Sequence, residues 1–259
     1  MKKAINIPAE TTQYTSVSTD PKQLSLPILL LMHLIPGACI GLFYLLVAPW
    51  ATHVGFPAQI ALLLAFLCVN IPFEMGYLFA LGKRRNGTFS LRGIVLYTQQ
   101  MPRWQYAAFL IPFLIYAIAM LIVLLPVNSF LTVRVFNWLP AYMLPQVGKQ
   151  ALTAATLITA LLTLVLDGIV NPIVEEMYFR GYLLPRLTRL GWLAPVVNTL
   201  LFTLGHIWQP YNYPFIFLTV LPMVLVVFWK RNIRFSMLTH YTANTLGAVL
   251  TLIALLAVR

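Results

Sequence analysis

The sequence predicts an all-α, polytopic membrane bundle. It has about seven transmembrane helices plus an amphipathic helix, with the amino terminus in the cytoplasm. Three observations predict this. Of 259 residues, 60% are hydrophobic and 9% are charged, and the mean hydropathy is +0.84. A soluble domain averages about 25% charged residues, so the apolar content exceeds what a soluble interior of this size can hold. A soluble enzyme and a disordered chain are both excluded. The apolar residues also gather into seven runs, and the positive charges are divided unevenly among the segments between them.

Residues 1–23 are polar and read as a cytoplasmic tail, and residues 24–259 read as one integral-membrane domain. Lys2 and Lys3 resemble the start of a signal peptide. The apolar run begins only at Leu24 and has no small-residue cleavage pattern, so a retained first helix fits better. The runs are 24–48, 60–81, 106–125, 152–170, 193–207, 213–229 and 235–258. Most approach the roughly 20 residues a helix needs to cross hydrocarbon; 193–207 is short. Asn171 followed by Pro172 reads as a helix cap and first helical residue. This predicts a separate amphipathic helix over 172–190. Residues 126–150 form the longest non-basic loop, with Trp138 and Tyr142 placed as interfacial anchors. Cys39 and Cys68 lie alone inside apolar runs and read as small core residues, with no zinc or disulfide pattern.

Charge supplies the orientation. There are 17 Lys and Arg against 6 Asp and Glu, a net charge of +11. With seven crossings, the positions of Lys2, Lys3, Lys22, Lys83, Arg84, Arg85, Arg92, Arg103, Arg180, Arg186, Arg189, Lys230, Arg231 and Arg234 all fall on one side. Arg134, Lys149 and Arg259 fall on the other. Such an excess marks the cytoplasmic face. The charge therefore reports membrane orientation, and no nucleic-acid partner is implied.

The six acids are Glu10, Asp20, Glu74, Asp167, Glu175 and Glu176. Four lie in apolar surroundings, where a carboxylate is expensive and usually functional. Three spaced patterns stand out in the carboxyl-terminal half. The first is PIVEEMYFR over 172–180. Adjacent helical residues point about 100° apart, so Glu175 and Glu176 face different ways. Glu176 and Arg180 are four apart in the favourable order. Glu176 then holds the helix with Arg180, and Glu175 is the free carboxylate; the bland alternative is a solvated ion cluster. The second pattern is FTLGH, from Phe202 to His206. A structural histidine bonded to a backbone carbonyl is the alternative there. The third is HYTAN, with His240 and Asn244 one turn apart. This pair offers either an oxyanion pocket or polar glue between helices. Together, one carboxylate, two imidazoles and one carboxamide form a hydrolytic set.

These motifs, EEMYFRG, FTLGH and HYTAN, resemble the signature of the CPBP family, which comprises the type II CAAX prenyl endopeptidases and their bacterial relatives and is also called the Abi family. The family pattern is EExxxR, FxxxH and HxxxN or HxxxD on successive helices. Pro172 and Gly181 match its flanking residues. The resemblance covers roughly 171–250 within a motif-bearing core of about 152–258. It implies a CAAX-type intramembrane protease in a multi-pass bacterial cytoplasmic membrane, acting on a membrane protein or peptide. It implies Glu175 as general base with His206, His240 and Asn244 as the oxyanion pocket, and Glu176, Arg180 and Phe202 in support.

Several alternatives stand beside this reading. The family is often labelled metalloendopeptidase, and Glu175, His206 and His240 are a possible Zn²⁺ set. The chain lacks H-E-x-x-H, however, and the metal-free glutamate mechanism is favoured. A non-catalytic scaffold or bacteriocin-immunity protein on the same fold, or a transporter, is the competing function. Straight upright helices would also place His206 about 20 Å and His240 about 7 Å below the cytoplasmic boundary at 1.5 Å per residue. A tilt, or a cavity opening to the cytosol or sideways between helices, is expected to reconcile them. Glu74 and Asp167 receive no catalytic role.

Overall fold

A computed structural model describes residues 22–145 and 151–257. Most of the polar tail, and Lys2, Lys3, Lys149 and Arg259 with it, lies outside the described residues. The chain is an integral, multi-pass membrane bundle. Its helices are α1 (Leu26–His53), α2 (Gln59–Asn86), α3 (Arg103–Val123), α4 (Leu125–Phe130), α5 (Ala154–Leu190), α6 (Leu193–Gly205), α7 (Tyr213–Lys230) and α8 (Ile233–Leu256). Among the described residues, six helical segments are long and apolar enough to cross a membrane. Helix α6 is the short seventh. At 1.5 Å per residue its 13 residues reach only about 20 Å, short of a full crossing.

The basic segments meet at one end, as the charge pattern predicts. Leu24 N–H donates to the Arg186 carbonyl, Leu96 N–H to that of Gly181, and Ile233 N–H to that of Tyr97. Asn232 fastens this end: its side chain caps α8 at Phe235 N–H and donates to the Gln99 carbonyl at 2.7 Å. Arg180 is an exception to the sequence reading. It is fully buried in the bundle rather than in a cytoplasmic loop.

The core lies in two apolar layers near the basic end, around Leu184, Leu187, Val224 and Phe235 and around Leu78, Tyr178, Leu183 and Phe202. A third, at the opposite end, joins α1 and α2 to Trp208. Large apolar side chains such as Leu46, Ile115, Ile122 and Leu250 are exposed, a pattern suited to lipid rather than water.

The structure corrects four expectations. Residues 172–190 are no separate amphipathic helix, because α5 runs unbroken from Ala154 to Leu190. The turn before Pro172 is widened over Thr163–Val170. A register shift of this kind takes up the missing N–H and the ring clash that would otherwise break a helix. The third run also continues past 125 through α4 and a widened turn over Leu131–Val135. Cys39 and Cys68 are exposed on the outer surface, not core residues. Tyr142 is folded onto α1, accepting from Tyr44 at its carbonyl and donating to that of Leu45, while Trp138 stays exposed.

Candidate active site

Helix α5 carries the acids. Its second widened stretch, Glu176–Leu183, begins immediately after Glu175, and such stretches recur at functional sites. Glu175 and Glu176, read from sequence as facing different ways, both reach the His240 imidazole, one at each ring nitrogen. Glu176 is fully buried and serves two partners. Its Oε1 is 3.3 Å from Arg180 Nη1 and accepts from His240 Nδ1 at 2.8 Å. The sequence reading found the first partner only. Arg180 also lies 4.1 Å over the Phe202 ring, a favourable cation–π placement in a dry site.

Glu175 lies at the other nitrogen of the His240 ring. Asn171 Nδ2 donates to its Oε1 at 2.9 Å, and Asn70 Nδ2 donates to Asn171 Oδ1 at 2.8 Å. Its Oε2 stands 3.9 Å from His240 Nε2. That is too long for a direct hydrogen bond, but one water can reach both atoms.

The Phe202 ring fixes the second motif against the others. It is 4.6 Å from the His206 imidazole and 6.4 Å from that of His240. His206 and His240 are therefore brought together despite their different distances along α6 and α8. The Nδ1–H of His206 donates to the Phe202 carbonyl at 2.9 Å, which leaves Nε2 with the lone pair in the neutral ring. The contrast with His33 is instructive. His33 bonds the Leu29 carbonyl through Nδ1 and receives Asn198 Nδ2 at Nε2, so it is a satisfied structural histidine. Asn244 donates one amide N–H to the Asp167 carbonyl at 3.1 Å. Its second N–H has no partner among the described residues.

Glu175, His206, His240 and Asn244 all line one cavity of about 1140 Å³. Of the two openings expected from sequence, to the cytosol or sideways between helices, the first is not found, since no residue of the basic loops lines the cavity. It runs the other way, bounded by Pro57, Gln59, Met143, Tyr211, Asn212 and Leu250. Behind Glu175 lies a second space of about 20 Å³, lined also by Glu74, Asn70, His33 and His206. Both Glu74 oxygens lack a hydrogen-bond partner among the described residues, and the space holds about one water. Glu74 thus sits beside the site, and pairs with neither Arg180 nor the Lys83 cluster.

Among the described residues, no three His, Cys, Asp or Glu side chains are grouped closely enough to hold a metal. In both imidazoles Nδ1 is engaged, by Glu176 and by the Phe202 carbonyl, which leaves each Nε2 free of those partners.

Asn171 and Asn70 escaped the sequence reading, which took Asn171 as a cap. The available signal was the spacing of four between Asn171 and Glu175, which places them on one helix face. Nothing local could have linked Asn70, 101 residues away.

The fold defines the class as an integral membrane protein, with acids and imidazoles gathered on one internal cavity. Residues 156–246 match the family model described as Rce1-like, type II CAAX prenyl endopeptidase. This stretch is about a third of the chain and contains all three motifs, so the match supports the CAAX protease family that the motifs resemble. The curated proteins contain no match, nor do the solved structures.

Proposed function

We propose that the chain is an intramembrane endopeptidase that cleaves membrane-associated or CAAX-like polypeptides by glutamate-activated water. Its site residues are Glu175, His206, His240 and Asn244. The observation that carries this is the placement of Glu175, held by Asn171 and 3.9 Å from His240 on the wall of a cavity sized for a peptide.

In this reading a water lies against Glu175 Oε2, with His206 Nε2 as a second acceptor. Glu175 takes its proton as the oxygen attacks the scissile carbonyl carbon. Negative charge grows on the carbonyl oxygen, which accepts from the spare N–H of Asn244 and from Nε2–H of His240, held as the imidazolium while its Nδ1–H donates to Glu176. Collapse expels the amine, and Glu175 returns the proton to it. Glu176 fixes the His240 ring, and Arg180 balances Glu176. No step is routed through a metal. A bacterial cytoplasmic membrane is the proposed location.

The test compares membranes of cells carrying the wild type, Glu175→Gln or His206→Ala. Peptide termini present only with the wild type support the reading. Identical termini in all three point to a scaffold or immunity protein on the same fold.

A further inference from the structure

The cavity lining identifies the side from which the site is reached. The wall residues contributed by α1 and α2 run from Tyr44 to Phe66, and those from α5 run from Thr156 to Glu175. Helix α8 contributes residues from His240 onward, toward its far end. None comes from 70–109 or 176–201, which hold the basic loop and the carboxyl-terminal part of α5. On the basic side the site is closed by Tyr178, Leu183, Leu184, Leu187 and Phe235, each at most 1% exposed. The far end has a polar rim, with Thr52, Gln59, Gln209 and Asn212, above apolar walls such as Leu121 and Leu246.

We infer that the site takes both its water and its polypeptide from the non-cytoplasmic side, the substrate being an apolar segment in that half of the membrane rather than a cytoplasmic carboxyl-terminal tail. The basic end is cytoplasmic by charge, and a tail arriving there meets the packed apolar layer. The polar rim supplies hydrogen bonds for an extended backbone, and the walls accept its apolar side chains. The substrate half of this inference rests on the proposed peptidase reading; the route does not.

The test replaces Cys39 and Cys68 with Ser, then introduces Thr163→Cys or Ala243→Cys in the cavity and Arg92→Cys in the basic loop as a marker. A charged, membrane-impermeant maleimide is added to right-side-out or inverted vesicles. The cavity cysteines should label at least tenfold faster from the side opposite the Arg92→Cys marker. Labelling from the marker's side, from both sides equally, or from neither would overturn the route. Mapping of wild-type cut sites against Glu175→Gln membranes then reads the substrate. Cuts in non-cytoplasmic segments support the inference, and cuts confined to cytoplasmic tails overturn it. No difference between the two membranes would overturn the peptidase reading while the labelling still decides the route.

Discussion

The imidazole of His240 donates through Nδ1 to the Glu176 carboxylate at 2.8 Å, across 64 residues of sequence. This bond ties α8 to α5 and sets the ring so that its Nε2 looks toward Glu175. A single buried carboxylate thereby orients one imidazole and balances one guanidinium. Removing it disturbs both.

Glu176→Gln should therefore be among the most damaging single changes in the protein. It removes the direct ion-pair partner of the fully buried Arg180, a loss that typically costs about 3–5 kcal/mol. Thermal unfolding in detergent measures it. The double change Glu176→Leu with Arg180→Met should unfold at a higher temperature than Glu176→Gln, because it strands no charge.

Asn171→Leu keeps the size of the side chain and removes the donor that positions Glu175. A hydrogen bond to a charged group is worth about 1.5–3 kcal/mol. Cleavage should fall roughly 10- to 100-fold, mainly in kcat with KM little changed. An effect on KM alone would assign Asn171 to substrate binding instead.

Phe202 is 3% exposed and touches Arg180, His206 and Phe179. Phe202→Ala should cost about 3–5 kcal/mol through the cavity it leaves. Phe202→Leu should recover most of that loss and still lack the aromatic face under Arg180. Denaturation midpoints of the two variants separate packing from the ring contact.

Gly37 lets α1 approach α6 closely. A Cβ there would run into the Gly205 carbonyl, which is backbone and cannot turn aside. His206 is the next residue, so Gly37→Ala should cut activity as well as cost about 1–3 kcal/mol. Gly76 on α2 has open space around it. Gly76→Ala should be neutral or stabilising by about 0.5–1 kcal/mol, since a helix interior prefers Ala.

Chelators should leave cleavage unchanged, and the purified protein should carry far less than one metal per chain. Stoichiometric zinc whose removal stops cleavage would overturn the metal-free mechanism.

Much of this was legible in the sequence, for physical reasons. Apolar runs and basic loops report a membrane bundle directly, because lipid demands them. The motif spacings placed Glu176 with Arg180, and the structure sets Glu175, His206, His240 and Asn244 on one cavity wall. Other features were hidden. Pro172 signals a helix start in any local reading, and only a widened turn upstream lets α5 continue through it. Asn70 and Glu74 reach the site from α2 through tertiary packing alone. The direction of the cavity depends on which residues seal the basic side, and no spacing along the chain encodes that.

The central claim is that Glu175 activates the attacking water. Its most direct test is the cleavage rate of purified Glu175→Gln on a substrate mapped in wild-type membranes, with the unfolding temperature measured in parallel. The account predicts a loss of roughly 10²- to 10⁴-fold, the usual contribution of a positioned base, with the folded state intact. A folded Glu175→Gln protein that cleaves at the wild-type rate would contradict it.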